Sequence, residues 1–170
     1  MPAVPRGLRA RANKIRLLVL DVDGVLTDGR LYYGSRGESL KVFHVQDGHG
    51  IKQLQRAGIA VAIVSGRRSA GVTRRARELG IKAVHQGVTD KLALVARLAK
   101  DRRFNLAQCG CVGDDSPDVP VMRAVGLAVA VANAHADALS AAHYITTCRG
   151  GDGAVREVCD LLLALRATTP

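Results

Sequence analysis

The sequence has no tryptophan, and aromatic residues make up only 3% of its 170 residues. Proteins that bind single-stranded nucleic acids stack the bases on aromatic side chains, so this scarcity counts against that class of protein. The hydrophobic fraction is nevertheless 48%, and a chain of this length can bury a substantial core. The sequence therefore predicts one globular domain with a core of aliphatic side chains.

Long apolar segments and Cys-x-x-Cys pairs are also missing. The apolar run that starts at Ile15 ends after six residues at Asp21, far short of the roughly 20 residues of a transmembrane helix and too short for a signal peptide. Cys109 and Cys111 alternate within an apolar segment, as buried strand residues do. We therefore expect a cytosolic protein without membrane contact, whose four cysteines are free buried thiols rather than zinc ligands or disulfides.

Acidic residues are absent from the first 20 positions. The basic residues there supply half of the formal net charge of +10, and they are Arg6, Arg9, Arg11, Lys14 and Arg16. An exposed basic arm could contact nucleic acid or anionic lipid, but a flexible solubilising tail is the simpler interpretation. We expect a basic, flexible tail over residues 1–14 and a single domain over residues 15–170, and the remaining positive charge favours an anionic substrate.

Short apolar segments alternate with amphipathic segments along the rest of the chain. This alternation predicts an α/β fold with a doubly wound, mostly parallel, Rossmann-like sheet that carries helices on both faces. The predicted strands are 15–20, 59–64, 82–85, 109–112, 127–131 and 144–146. The predicted helices are 48–57, 69–80, 90–100, a short one that Ser116 caps and Pro117 opens, and 154–165.

One segment departs from this alternation. Residues 31–33 and 40–45 are extended-type runs on either side of Gly34-Ser35-Arg36-Gly37. The pattern predicts a small β-hairpin after the first strand. The segment is too short to form a second domain.

Two aspartates stand at the end of the first predicted strand. The side chains of Asp21 and Asp23 point to the same side of an extended segment, at the edge where such sheets bind ligands. Two like charges about 4 Å apart repel by roughly 4 kcal/mol at an effective dielectric of about 20, so the pair favours a proton or a cation such as Mg²⁺. Gly24 permits a tight bend there. A solvated acidic turn remains an alternative for this pair alone.

Polar residues occupy three further turns. Ser65-Gly66-Arg67 follows the second strand, Lys91 opens the third helix, and Gly113-Asp114-Asp115-Ser116-Pro117-Asp118 follows the fourth strand. Each alone has a plain interpretation, as a turn, an exposed helix residue or an acidic helix N-terminus. Because the carboxyl ends of parallel strands meet at one edge, we expect these turns to share one crevice.

In order, placement and residue type, the four motifs resemble those of the haloacid dehalogenase superfamily, over about residues 14–166. The resemblance implies a phosphatase in which Asp21 attacks phosphorus to form an aspartyl phosphate. It implies that Asp23 protonates the leaving group and later deprotonates water. Ser65 would donate a hydrogen bond to a phosphoryl oxygen, and Lys91 would neutralise its charge.

The resemblance also implies a bound Mg²⁺. The Asp21 carboxylate, the Asp23 backbone carbonyl and the Asp114 carboxylate would be its protein ligands. Asp115 or Asp118 would support these ligands from behind.

Longer stretches resemble one family within the superfamily, the 3-deoxy-D-manno-octulosonate 8-phosphate phosphatases. The matching stretches are 21–29, 43–51, 113–118 and 153–159. That family is capless, tetrameric and Mg²⁺-dependent, and it releases phosphate from an eight-carbon sugar acid in lipopolysaccharide synthesis. The resemblance implies a capless homotetramer in which a neighbouring subunit, for instance through its hairpin, covers the site.

The resemblance further implies the residues that contact the substrate. Asp23 and Lys91 would do so, Arg67 would pair with the sugar carboxylate, and Thr27 and Gly66 would lie near the phosphate or sugar. A phosphatase for nine-carbon sugar acids, a receiver-like regulatory domain and nucleic-acid binding through the basic tail remain alternatives. A receiver domain, however, needs no carboxylate at the position of Asp23.

Two features depart from the family pattern. Relatives often carry a longer C-terminal tail that packs over a neighbouring site, so closure of that kind is in doubt here. Asp152 stands where relatives commonly have a basic residue. We expect Asp152 to point away from the anionic ligand, or the substrate preference to differ.

Overall fold

The computed structural model describes residues 7–35 and 37–167. In chain order, its strands are β1 (Leu17–Leu20), β2 (Tyr32–Gly34), β3 (Gly37–Leu40), β4 (Ala60–Ser65), β5 (Ala83–Gln86), β6 (Cys109–Gly113), β7 (Leu127–Ala130) and β8 (Tyr144–Ile145). Its helices are α1 (Leu8–Ala12), α2 (Val45–Arg56), α3 (Ala70–Glu78), α4 (Lys91–Asp101), α5 (Val119–Ala124), α6 (Ala136–Ala141) and α7 (Ala154–Ala167). Short 3-10 turns cover Leu106–Gln108 and Ser116–Asp118.

Six parallel strands form the main sheet in the order β5-β4-β1-β6-β7-β8. The central strand β1 pairs on both sides, so that Leu20 lies opposite Ile63 of β4 and Val112 of β6. A parallel strand covered on both faces needs apolar residues throughout, which explains the uninterrupted run in β1. The predicted doubly wound α/β fold is confirmed, as is the small antiparallel hairpin, formed by β2 and β3.

Alternate side chains of β1 enter two aliphatic cores, one on each face of the sheet. Leu18 and Leu20 pack in the core that includes side chains of α2, α3 and α7. Leu17 and Val19 pack in the core that includes side chains of α4, α5 and α6. The two cores hold β1 rigidly and thereby fix the position of the turn that follows it.

Residues 7–14 differ from the expectation of a flexible tail. They include α1, whose Leu8 and Ala12 are buried in the core shared with α7. The Arg11 guanidinium donates a hydrogen bond of 2.8 Å to the Gly126 carbonyl. Leu8 and Ala12 lie four residues apart on one helix face. Two apolar residues among several arginines are too few to predict a buried helix from the sequence. Residues 1–6 of the predicted tail lie outside the described residues.

Helix α2 begins at Val45, three residues before the predicted start, and continues through Gly48 and Gly50. Glycine is a poor helix former, and this placed the predicted start too late. Both glycines serve close packing, because an added Cβ would collide with Arg75 at Gly48 and crowd Arg156 at Gly50. The second hairpin strand, predicted over 40–45, instead spans Gly37–Leu40, and residues 41–44 connect it to α2.

Two smaller differences concern helix termini and short helices. Asp115, rather than Ser116, is the cap residue before the turn at Ser116–Asp118, and its carboxylate accepts the Ser116 N–H at 2.7 Å. Helix α6 lies between β7 and β8, where no helix was predicted. With only six residues, it offers little periodic signal.

The apolar character of the described helices and the state of the cysteines can both be read from the structure. In residues 7–35 and 37–167, no helix has both the length and the apolar character to cross a bilayer. All four cysteines are free, and Cys148 is partly exposed while the other three are buried. The prediction of free buried thiols therefore holds for three of the four cysteines, and burial was wrongly predicted for Cys148.

Candidate active site

The turns after β1, β4 and β6 enclose a cleft of about 410 Å³ at the carboxyl edge of the sheet. The predicted site residues that line it are Asp21, Asp23, Ser65, Gly66, Arg67, Lys91 and Asp114. Asp115 and Asp118 line it as well. The structure therefore brings together residues that lie up to 97 positions apart in the sequence, from Asp21 to Asp118.

A buried charge cluster forms the floor of this cleft. The Lys91 ammonium donates hydrogen bonds to Asp21 Oδ1 at 2.8 Å and to Asp118 Oδ1 at 2.7 Å, and all three side chains are buried. Burial and the neighbouring Asp118 raise the pKa of Asp21 to about 6, although Lys91 opposes this. Burial alone would lower the pKa of Lys91, but the two carboxylates outweigh it and raise that pKa. Lys91 is therefore a fixed cation beside Asp21.

Three carboxylates converge next to this cation. Asp21, Asp114 and Asp118 each offer an oxygen, and these oxygens all lie within 4.8 Å of one another. Burial and the charges of Asp21 and Asp118 raise the pKa of Asp114 to about 8. One ammonium does not balance three carboxylates, so the cluster suits a hard divalent cation with oxygen ligands.

Asp118 connects two other residues of this cluster through its carboxylate. Both oxygens of Asp118 are engaged, since Oδ1 accepts from Lys91 and Oδ2 accepts from the Asp114 N–H at 3.1 Å. Asp118 thus fixes the Asp114 backbone and the Lys91 ammonium. Asp21 and Asp114 also line the cleft, and their assignment as the two carboxylate ligands stays a prediction from the family resemblance.

A tight turn after β1 lets the first and fourth motifs meet. Gly24 has φ of 90°, in the left-handed region, and a Cβ there would overlap the Asp114 carboxylate. The Thr27 hydroxyl donates to the Val22 carbonyl and accepts the N–H groups of Gly24 and Gly29, all at 3.3 Å. Thr27 is buried and holds the turn from behind, so the structure places it outside the cleft lining.

Asp23 points toward the hairpin rather than into the buried cluster. The Lys41 ammonium donates to Asp23 Oδ1, and Arg67 Nε lies 3.8 Å from Asp23 Oδ2. Glu38 Oε2 lies 3.4 Å from the Lys41 ammonium and 3.3 Å from Arg67 Nη2. Arg67 Nη2 also donates to the Tyr33 hydroxyl at 3.0 Å. The site therefore includes three hairpin-side residues, Tyr33, Glu38 and Lys41, that the sequence reasoning missed.

Ser65 ends β4 inside the cleft and is buried. Its hydroxyl oxygen accepts the Arg67 N–H at 3.3 Å, and a serine hydroxyl that accepts one bond still has its O–H to donate. The Ser65 carbonyl accepts the Val88 N–H at 3.1 Å, which ties this turn to the one before α4. Ser65 is therefore held in place with a donor available to a ligand.

Asp47, within the stretch 43–51, supports the site from a distance. It is buried, and its Oδ1 accepts the Arg156 N–H at 2.8 Å in the first turn of α7. Burial raises the pKa of Asp47, although this hydrogen bond opposes the rise. The Asp47 carboxylate, which belongs to α2, therefore caps the N-terminus of α7. This contact connects the stretches 43–51 and 153–159, both of which carry the family resemblance.

Asp152 lines a separate cleft of about 350 Å³, together with Gln46, Tyr144 and Arg156. It does not line the cleft that holds Asp21. The neighbouring Gly151 N–H donates to the Val25 carbonyl at 3.0 Å, so this loop packs against the turn after β1. The loop thus supports the site while the Asp152 side chain stays outside its lining.

Comparison with known proteins agrees with this geometry. A family model of haloacid dehalogenase-like hydrolases matches residues 83–158. The 3-deoxy-D-manno-octulosonate 8-phosphate phosphatase KdsC of Yersinia pestis is 51% identical over 153 residues, which are 90% of this chain and 82% of that protein. The chain belongs to the 3-deoxy-D-manno-octulosonate 8-phosphate phosphatase family. The predicted membership of the haloacid dehalogenase superfamily is therefore confirmed, and so is the predicted class, a phosphoric monoester hydrolase.

Solved structures of this family have the same fold. The phosphatase of Moraxella catarrhalis, in complex with magnesium, phosphate and KDO, is 44% identical, with a TM-score of 0.92 over 94% of this chain and 92% of its own. The cobalt-bound phosphatase of Haemophilus influenzae is 41% identical, with a TM-score of 0.90 over 92% of each chain. Together with the acidic cluster, the magnesium-bound relative confirms Mg²⁺ as the predicted cofactor.

Proposed function

We propose that the protein hydrolyses 3-deoxy-D-manno-octulosonate 8-phosphate to the free sugar acid and phosphate, in the cytoplasm, as a step in lipopolysaccharide synthesis. The observation that carries this proposal is the convergence of Asp21, Lys91 and Asp114 on the floor of a cleft that Asp23 also lines. The Moraxella catarrhalis relative, whose structure holds magnesium, phosphate and KDO, supports the choice of substrate.

In the first step, Asp21 attacks the phosphorus atom and the ester bond to the sugar oxygen breaks. The electron pair of that bond stays on the sugar oxygen, which takes a proton from Asp23. Lys91, 2.8 Å from Asp21 Oδ1, neutralises the phosphoryl charge, and Ser65 donates a hydrogen bond to a phosphoryl oxygen. Mg²⁺ held by the Asp21 and Asp114 carboxylates and the Asp23 carbonyl would add positive charge at the phosphoryl group.

In the second step, the Asp23 carboxylate takes a proton from a water molecule whose oxygen attacks the phosphorus atom. The bond between phosphorus and Asp21 breaks, phosphate leaves, and both aspartates return to their starting forms. The same carboxyl group thus serves as acid and then as base.

The rim of the cleft offers a partner for the sugar carboxylate. The Arg67 side chain is 42% exposed, and Tyr33 and Glu38 hold its guanidinium in place. A guanidinium can bind a carboxylate with two parallel hydrogen bonds. Arg67 would therefore orient the sugar acid while Gly66, without a side chain, leaves room beside it.

The first prediction concerns substrate choice. With Mg²⁺, we expect kcat/KM for the eight-carbon sugar acid phosphate to exceed that for a nine-carbon one and for a sugar phosphate without a carboxylate by about tenfold or more. Chelation of the metal should stop phosphate release, and added Mg²⁺ should restore it. A preference for the nine-carbon ester would favour that alternative, equal slowness on all esters would contradict the specific assignment, and no turnover would favour a receiver-like domain.

We also propose that the protein is a homotetramer in which neighbouring subunits cover the cleft. The hairpin and the residues on either side of it expose a series of large apolar side chains, which are Leu31, Tyr33, Leu40, Val42 and Val45. Exposed apolar patches of this kind mark protein–protein contacts. The hairpin also reaches the site through Glu38 and Lys41, so a subunit seated on this patch would lie beside the cleft.

The second prediction tests this assembly. Sedimentation equilibrium should give the mass of four chains, and replacing two apolar residues of the patch, Leu40→Asp with Val42→Asp, should lower it. A matched control is Ala57→Asp, which places the same charge at an exposed position just after α2, at the opposite end of that helix from Val45, and it should leave the mass unchanged. A wild-type protein that sediments as a monomer would contradict the proposal.

A further inference from the structure

We propose that Lys41 is a positioning residue for ester cleavage, which acts by fixing the carboxyl group of Asp23. This inference rests on the proposed function, because it assigns Lys41 a part in the transfer of the proton to the leaving group. It starts from the contact between the Lys41 ammonium and Asp23 Oδ1. Asp21 forms the bond to phosphorus and Asp23 transfers the proton, so Lys41 itself does not react.

The Lys41 side chain is held unusually firmly for a lysine. It is only 5% exposed, whereas lysine side chains are rarely buried unless they are paired. Its ammonium lies between Asp23 and Glu38, the latter at 3.4 Å. Its stem lies against the start of α3, where a Cβ on Gly71 would lie 3.4 Å from Lys41 Cβ. The ammonium therefore has a defined position beside the cleft.

The two oxygens of Asp23 are placed in different surroundings by these contacts. Oδ1 accepts the hydrogen bond from Lys41, while the ion-pair contact of Oδ2 with a described residue is a long one, 3.8 Å to Arg67 Nε. The terminal torsion of an aspartate is broad, so an unrestrained carboxyl group would sample many orientations. With Oδ1 fixed by Lys41, Oδ2 is the oxygen left to carry the transferred proton.

Glu38 balances the cations of this group. Lys41 and Arg67 together place two positive charges beside Asp23. Glu38 contacts both cations, so its carboxylate offsets one of these two positive charges. Glu38 therefore limits the positive charge at the leaving group while Lys41 orients Asp23.

The chemistry predicts which substrates depend on this arrangement. When the bond from Asp21 to phosphorus forms and the ester bond breaks, the electron pair goes to the leaving oxygen together with the proton from Asp23. A sugar alkoxide is a strong base and needs that proton, whereas p-nitrophenolate is a weak base and leaves without it. Loss of Lys41 should therefore affect the two kinds of ester unequally.

The third prediction uses Lys41→Met, which keeps the length of the stem and removes the ammonium. For the eight-carbon sugar acid phosphate, we expect kcat/KM to fall by about 100-fold, within the range that acid–base groups contribute. For p-nitrophenyl phosphate, we expect a change of less than about threefold, because that leaving group bypasses the acid. The ratio kcat/KM includes steps only up to departure of the leaving group, so hydrolysis of the intermediate does not affect the comparison.

Two further variants complete the experiment. Lys41→Arg keeps a cation and should recover most of the loss on the sugar ester. Lys100→Met removes an exposed lysine in the last turn of α4, at the far end of that helix from the cleft, and should leave both esters unaffected. Activity on p-nitrophenyl phosphate also reports that the Lys41→Met protein is folded.

The outcomes separate this inference from the proposed function. Equal losses on both esters would overturn the role of Lys41 and indicate a general distortion of the site, and no loss on either would overturn it as well. In both cases the proposed function would stand, since the wild-type enzyme cleaves the esters. A wild-type protein that cleaves neither ester would overturn the proposed function and, with it, the inference.

Discussion

Asp21→Asn should reduce phosphate release by at least roughly 10⁴-fold, because an amide cannot attack phosphorus in place of the carboxylate. The fold should persist, since asparagine has nearly the same shape and Lys91 keeps its hydrogen bond of 2.7 Å to Asp118. The measurement is phosphate release with Mg²⁺ on the preferred sugar ester, together with circular dichroism. This is the largest effect that we expect from any single substitution.

A control and a direct observation sharpen this experiment. Asp101→Asn makes the same chemical change at an exposed position at the end of α4, and it should retain full activity. Acid quenching of the wild-type protein during turnover should trap a phosphoryl group on the peptide that contains Asp21, and the Asp21→Asn protein should not acquire it. Full activity of Asp21→Asn would refute the assignment of the nucleophile.

Lys91→Met should lower both activity and stability. It removes the cation between Asp21 and Asp118 and leaves two buried carboxylates facing each other. Breaking a buried pair by removing one partner typically costs about 3–5 kcal/mol, and we expect the free energy of unfolding, measured in denaturant without Mg²⁺, to fall by about that amount. Phosphate release should fall by at least about 10²-fold, as when a group that stabilises the transition-state charge is lost.

The stability loss should depend on pH with a definite sign. The pKa of Asp21 is already raised to about 6 in the presence of Lys91, so removal of the cation raises it further. A carboxyl group whose pKa is higher in the folded state destabilises the fold above that pKa, and protonation relieves the cost as the pH falls through it. The difference in the free energy of unfolding between the wild-type protein and Lys91→Met should therefore become smaller as the pH falls below the raised pKa of Asp21.

A matched substitution is available for comparison. Lys82 is exposed and lies just before β5, and Lys82→Met should change the free energy of unfolding by no more than about 0.5 kcal/mol. If Lys91→Met unfolded with the wild-type free energy and retained activity, the buried cation would have neither of the roles assigned to it.

The central part of the fold and the floor of the site were predictable because their signals are local. An apolar run followed directly by Asp21 marks both a buried strand and a turn at its end. Ser65 ends β4, Asp114 follows β6, and Lys91 opens the helix that follows β5. Parallel topology then requires that these ends meet at one edge of the sheet, so no information on tertiary contacts was needed to bring the four residues together.

The residues around Asp23 were not predictable in the same way. The contact between Lys41 and Asp23 depends on how the hairpin folds back over the turn, and no periodicity encodes that angle. Asp47 has the sequence appearance of a polar site residue, but its carboxylate caps a helix that begins more than 100 residues later. Leu8 and Ala12 form too short an apolar pattern to be separated from the arginines around them.

The position of β1 in the middle of the sheet has a consequence for how the protein is made. Its two partners, β4 and β6, end at Ser65 and Gly113. Strand β1 therefore leaves the ribosome long before either of the strands that pair with it has been synthesised. At typical elongation rates, the wait for β6 lasts roughly 5–20 s. During this interval, the apolar residues of β1 are candidates for chaperones or for aggregation. Asp21, the proposed nucleophile, is therefore synthesised well before the strands that fix its position, and a nascent chain that stalls before Gly113 cannot assemble the proposed active site.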